Sequence, residues 1–289
     1  MSEALELQRE LLSRQHRDGG WGYQASMSWT EPTALALLAL ETSGYAGPAH
    51  DRGCAWLRAC QHDDGGWPPN PSVGISSAAG AFAFLALSTE SGKSAAQQRA
   101  LNWIIANVKP ELGALQRFRF WAGGMPPAEV VQGGSSWVPG TAAWIAPTAM
   151  TALALADAVR QGYTVPGLAT SLERSRRYIL SRQCQDGGWN HGGTQFRSSG
   201  APSYPETTGI ALLALDSSRE LQASIDVART MYTTSRSNEA QSWLRLALLK
   251  HHSLPQTPVL PQACHDTRDI ALRLLALACV TKPNRLMES

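Results

Sequence analysis

The chain has 289 residues, a formal charge of +2 with both signs scattered along it, and five cysteines. That balance leaves no electrostatic footprint for nucleic acid. An odd number of cysteines (Cys54, Cys60, Cys184, Cys264, Cys279) without CxxC-type metal spacing fits a reduced, cytoplasmic chain.

Residues 1–17 are charged and amphipathic, which is not the pattern of a secretory leader. A first helix is expected over 3–14, with Ala4, Leu7, Leu11 and Leu12 on one face. Gln15-His-Arg-Asp18-Gly19-Gly20-Trp21 follows, and then an almost wholly apolar helix, 33–40, with Pro32 in its first turn and Gly44 and Gly47-Pro48 beyond its end. The order recurs: a helix over 51–60, Gln61-His-Asp-Asp64-Gly65-Gly66-Trp67, and an apolar helix over 76–88. Leu101, Ile104, Ile105 and Val108 then form a one-sided helical stripe.

A 27-residue insertion, 111–137, enters the third unit and carries Arg117-Phe-Arg-Phe-Trp121 and Met125-Pro-Pro127. It reads as a packed excursion, or as a lid or lipid-facing entrance giving peripheral membrane contact. Gly133-Gly134-Ser-Ser-Trp137 reads as a worn motif before an apolar segment at 148–155. Residues 140–156 are uncharged, but the stretch is short for a membrane span, contains Pro147 and matches the buried helix of the other units.

A helix over 169–182 precedes the third full copy, Gln183-Cys-Gln-Asp186-Gly187-Gly188-Trp189, which leads to the apolar segment 207–215. Helices over 218–232, 238–250 and 266–280 complete the pattern, with a proline-broken stretch at 254–261. From residue 282 the sequence predicts a flexible polar tail. Trp21, Trp67, Trp137 and Trp189 lie 46, 70 and 52 residues apart, a repeat of roughly 50 residues. A helix apolar on all sides must be buried on all sides, so no unit can stand alone, and residues 1–281 are expected to form one domain.

Gln-x-x-Asp-Gly-Gly-Trp followed by a Thr/Ala/Leu-rich helix resembles the repeat of squalene–hopene cyclases and other class II terpene cyclases. It is also similar to the β subunits of protein prenyltransferases. The resemblance implies an all-α chain folded as a single α/α toroid, with about six inner and five outer helices around a central cavity. One outer position would be thin or borrowed by the N-terminal helix.

In such a toroid the inner helices run parallel, and their N-termini and positive dipole ends face one mouth of the cavity, where an anion would be favoured. Aligning the units places Trp29, Trp144 and Tyr204 at equivalent positions of that ring. With Trp243 of the 238–250 segment they are the candidate substrate-binding aromatics, because aromatic faces stabilise cations. Repeated packing at a helix start is the competing explanation.

The resemblance also implies an Asp-x-Asp-Asp-Thr-Ala acid motif at an inner-helix start. Asp266-Thr-Arg268-Asp269-Ile-Ala271 falls in that register, with Arg268 where the proton donor would stand. Glu31 and Glu206 are expected to substitute for it, with Asp266, Asp269 and His265 as the remaining candidate catalytic residues. Helix capping is the competing explanation for each acid.

These residues imply an isoprenoid-handling enzyme that performs proton-initiated cyclisation or isomerisation of a polyprenyl substrate and needs no cofactor. A silent toroid binding a lipid, a peptide or a protein partner, and a prenyltransferase-like subunit with a helical partner, are the alternatives. The chain would be cytoplasmic, or peripheral at a membrane through 111–137. Prenyltransferases hold zinc with an Asp, a Cys and a His, and Cys264-His265-Asp266 is too compressed to reproduce that set. Elemental analysis of purified protein is therefore expected to find no stoichiometric zinc. One tightly held zinc per chain would favour the prenyltransferase reading instead.

Overall fold

The computed structural model describes residues 2–88, 93–110, 133–192, 200–256, 262–279 and 284–287. Within them each motif builds one turn. Gly19, Gly65 and Gly187 take φ of 95°, 91° and 94°, the left-handed region where side chains are strained. A Cβ on the glycine that follows each would lie 2.4–2.7 Å from Ser28, Ser76 or Ser203, so close approach requires the second glycine as conformation requires the first. The motif Asp accepts from the main-chain N–H of that second glycine at 3.0, 2.8 and 3.1 Å. The motif Gln donates to the carbonyl of the first glycine at 2.8, 2.9 and 3.0 Å, and also to the outer helix that follows.

The tryptophan lies across this turn. Trp21, Trp67 and Trp189 are at most 2 % exposed, and their indole N–H groups donate to Leu11, Leu57 and Ile179 carbonyls at 2.8, 2.7 and 2.7 Å. Each bond adds a second donor to a last-turn carbonyl that also accepts the N–H of its helix cap at 3.1–3.2 Å.

Eleven α-helices result among the described residues. Five are amphipathic and form the outer layer: α1 (Glu3–Ser13), α3 (Pro48–Ala59), α5 (Ala95–Ala106), α7 (Leu168–Ser181) and α9 (Gln222–Thr234). Six form the inner ring: α2 (Thr30–Thr42), α4 (Gly80–Leu87), α6 (Ile145–Arg160), α8 (Pro205–Leu213), α10 (Asn238–Lys250) and α11 (Thr267–Ala278). Neighbours in the inner ring pack in chain order, and α11 closes back on α2. The expected toroid is therefore present. A 3₁₀ turn, Arg219–Leu221, starts the fifth outer segment.

Main-chain bonds tie each unit to the next. The residue at the mouth of each inner segment (Trp29, Ser77, Trp144, Tyr204) donates its N–H to the carbonyl of Trp21, Trp67, Ser135 or Trp189, at 2.7–3.0 Å. The following residue donates to the next unit instead: Thr30 to Pro69 (2.9 Å), Ala78 to Trp137 (3.0 Å) and Ile145 to His191 (3.1 Å). Thr267 of α11 donates to Tyr23 (3.3 Å), which joins the last helix to the first motif. In the fourth unit this place is Pro205, which has no N–H and needs no acceptor.

Two expectations change. Ser135, not Trp137, occupies the tryptophan position of the third motif: its N–H donates to Thr148 Oγ1 (2.9 Å) as Trp21 and Trp189 donate to Thr33 and Thr208. Trp137 is 40 % exposed. The space beside Gly134 is filled by the Tyr178 ring of α7. Residues 284–287 are not a free tail, because Leu286 is fully buried. Arg285 there donates to Ser88 (2.9 Å) and lies 3.9 Å from Asp157, a fully buried carboxylate of α6 that also pairs with Arg160. A buried charge needs cations around it, and this one holds the C-terminal segment in place. The N-terminal helix α1 packs on α11, the borrowed outer position, with Glu3 2.5 Å from Arg273.

A two-residue ribbon, Lys109–Pro110 against Gly133–Gly134, brackets most of the insertion, whose residues 111–132 lie outside the described residues. No helix among the described residues is long and apolar enough to cross a membrane, and α6 is core on nearly every face. The packing gives a direct test. Trp189→Ala should cost about 3–5 kcal/mol in denaturant titration, the range for truncating a buried aromatic. A loss below about 1 kcal/mol would contradict the role assigned to the turn.

Candidate functional site at the mouth of the inner ring

Because all six inner helices start at one end of the ring, the second residue of each helix faces its neighbours across the mouth. After the helix caps Trp29, Trp144, Tyr204, Ser237 and Asp266, that position is Glu31, Ala146, Glu206, Glu239 and Arg268. All five line a cavity of about 320 Å³. Its walls continue with Phe82, Met150 and Ile210 and with Trp137, Trp144 and Trp243. Phe82 and Trp243 stack with centroids 5.9 Å apart.

The charges are connected. Arg268 lies 2.5 Å from Glu239 and 3.8 Å from Glu31, and its guanidinium sits over the Tyr23 ring. The Tyr23 hydroxyl donates to Glu31 at 2.6 Å, and burial beside that carboxylate pushes the phenol well above its ordinary range. Burial also pushes the Glu239 carboxyl up; Arg268 opposes this, and Glu31 and Glu206 add repulsion. Glu206 makes no hydrogen bond or ion pair among the described residues. Acidic residues in a first helical turn are also favoured by the dipole, which contributes a few tenths of a kcal/mol to about 1 kcal/mol each.

Not every expected site residue reaches the cavity. Glu31, Glu206, Trp144 and Trp243 line it. Trp29 packs edge-on against Tyr23 at 5.4 Å, and Tyr204 sits 5.0 Å from His191, which is 5.3 Å from Trp144. Trp29 and Tyr204 thus belong to the rim. Asp266 and Asp269 shape the start of α11: Asp266 accepts from the Asp269 N–H at 2.8 Å, and Asp269 accepts from the His265 main-chain N–H at 3.0 Å. The contact runs through the His265 backbone, and none of the three lines the cavity.

Glu239, Phe82, Trp137 and His191 line the cavity without having been singled out. Glu239 was within reach of sequence reasoning, since it stands two residues after its cap as Glu31 and Glu206 do. At α2, α6 and α11 the first helix-start N–H is taken by a carbonyl of another unit, so it is not free to bind an anion. Among the described residues no three His, Cys, Asp or Glu side chains gather to hold a metal.

No protein-family model matches the chain, and no curated protein matches it in sequence. Solved structures do match in fold. The type II terpene cyclase MstE from Scytonema superposes with a TM-score of 0.55 at 18 % identity, covering 95 % of this chain and 77 % of that one. The ent-copalyl diphosphate synthase from Streptomyces platensis gives 0.51 at 17 % identity, covering 86 % and 50 %. Endoglucanase Cel10, a family 8 glycosyl hydrolase from Klebsiella pneumoniae, gives 0.58 at 12 % identity, covering 94 % and 98 %. At these identities the likeness is one of fold: a helical toroid of the kind found in type II terpene cyclases and also used by a glycosyl hydrolase.

Proposed function

We propose that the chain is an isoprenoid-handling enzyme that starts cyclisation or isomerisation of a polyprenyl substrate by protonating it in this cavity. The observation that carries the proposal is the pair of carboxyl groups on adjacent inner helices, Glu206 and Glu239, opening onto an aromatic and aliphatic wall. Glu206 is not neutralised by a cation among the described residues, and burial holds Glu239 toward its protonated form. A carboxylic acid beside a like charge in an apolar cavity is the arrangement that keeps a proton available for transfer.

In the proposed step, a carboxyl O–H of this pair transfers its proton to one carbon of an alkene, leaving a carbocation on the other. Trp137, Trp144 and Trp243 stabilise that charge while the chain folds onto it. Loss of a different proton restores an alkene, so the product is an isomer of the substrate. Glu31, engaged by Tyr23 and Arg268, orients the mouth. Asp266 and Asp269, with the His265 main chain, position Arg268 by fixing the start of α11. Trp29 and Tyr204 support the rim.

Support also comes from MstE, whose structures include complexes with geranylgeranyl dihydroxybenzoate as substrate. The fold is equally that of Cel10, and paired carboxylates also serve glycoside hydrolysis. The aliphatic part of the wall supports the first reading. Phe82, Ala146, Met150 and Ile210 offer a sugar no polar side-chain partner and suit a hydrocarbon.

Turnover of a panel of polyprenyl compounds in D₂O tests the proposal. The product should match the substrate in composition but carry one deuterium at the initiating carbon. Glu206→Gln should reduce the rate by about 10²–10⁴-fold while leaving the melting temperature within about a degree. Asp266→Ala should instead cost about 1 kcal/mol of stability through loss of a cap. Products without solvent deuterium, or a Glu206→Gln enzyme of normal rate, would contradict proton initiation here.

A further inference from the structure

The charge around the cavity says something about the polar end of what enters it. Among the described lining residues, three carboxylates (Glu31, Glu206, Glu239) face one guanidinium. That guanidinium is already engaged on both sides, at 2.5 Å by Glu239 and 3.8 Å by Glu31. Its Nε makes no hydrogen bond among the described residues, but Glu239 and Glu31 flank the guanidinium and would repel an anion approaching that donor. Glu206 is left over, on the same wall as Trp144 and Trp243. At α2, α6 and α11 the first main-chain N–H of the helix is bonded to a carbonyl of another unit and is not available to a phosphate.

We infer that the cavity selects a chain whose head group is cationic, an amine or ammonium, and that it discriminates against diphosphates. A carboxylate without a counter-ion beside indole faces is the chemistry that recognises an organic ammonium: the carboxylate supplies the charge and the rings supply quadrupoles. A diphosphate would enter against three like charges. The inference rests on the cavity being the ligand site, as proposed above. It adds the substrate class and makes the ionised Glu206 a specificity-determining residue, which leaves the proton-donating role of the pair to Glu239.

The test separates head group from chain. Quenching of tryptophan fluorescence would be titrated with geranylgeranylamine and geranylgeranyl diphosphate, and in parallel with dodecylamine and dodecyl phosphate, with and without Mg²⁺. The amine should bind at least about tenfold more tightly than the anion within each chain type, a difference of about 1.4 kcal/mol. Raising salt should narrow the gap. Glu206→Gln should weaken amine binding and bring the two heads closer together. Ile210→Trp, which fills the cavity from α8, should abolish binding of all four and place them in this site.

If the straight-chain pair shows the preference and the polyprenyl pair does not bind, the head-group inference stands and the isoprenoid reading falls. If polyprenyl compounds bind without regard to head group, or the diphosphate binds as tightly as the amine with or without Mg²⁺, the inference is overturned and the isoprenoid reading survives. Absence of binding by every probe overturns the inference as well.

Discussion

A buried indole N–H bonded to the last turn of an outer helix is the contact on which the ring depends. It occurs at Trp21, Trp67 and Trp189, each reaching a carbonyl ten residues back. The bond ties the indole to the last turn of the helix, and the ring fills the corner between layers. Its geometry also sets where the chain goes next. The carbonyl of the same tryptophan receives the N–H that starts the inner helix, and the carbonyl two residues on receives the start of the preceding one. Local turn chemistry thereby becomes a belt of main-chain bonds at the starts of α2, α4, α6 and α11, ending in the bond from Thr267 to Tyr23.

The belt explains why chemistry can sit at this mouth. It orders four of the six helix starts with main-chain bonds, leaving the second residue of each helix free to vary. Five such positions carry Glu, Ala, Glu, Glu and Arg around a cavity otherwise lined mainly by apolar and aromatic side chains. Carboxylates in the first turn of a helix are stabilised by its dipole, so three can be held near one another without unfolding the ring. Their mutual repulsion, with burial, is what raises the Glu239 carboxyl despite the adjacent guanidinium. Stability and reactivity are thus assigned to different residues: the motif holds the ring, and the variable position faces the cavity.

Much of this was legible in the sequence, because the constraints are local and repeated. Gly-Gly-Trp before a helix with no polar face predicts both the turn and the buried layer, and the inner and outer helices follow from it. The mouth could be placed for the same reason, and Glu31, Glu206, Trp144 and Trp243 do line it. What was not legible required three-dimensional pairing. Ser135 takes a tryptophan's place only because Tyr178 of another helix fills the gap beside Gly134. Asp266 and Asp269 match an acid motif in register, yet their oxygens accept main-chain N–H groups of their own helix start. Glu239 lacks a Gly-Gly-Trp before it, which removed the usual marker of register. Leu286 lies in a polar segment, and a buried carboxylate some 130 residues earlier holds that segment in place.

The claim that organises this account is that the cavity at the inner-helix starts holds a hydrophobic ligand. Native mass spectrometry of gently purified protein, with extraction and identification of whatever co-purifies, tests it most directly. The account predicts an isoprenoid bound at close to one per chain, displaced when Ile210→Trp fills the cavity and retained when the exposed Leu180 on the outer face is replaced by Ser. A ligand that survives Ile210→Trp, or one that is a carbohydrate, would contradict it.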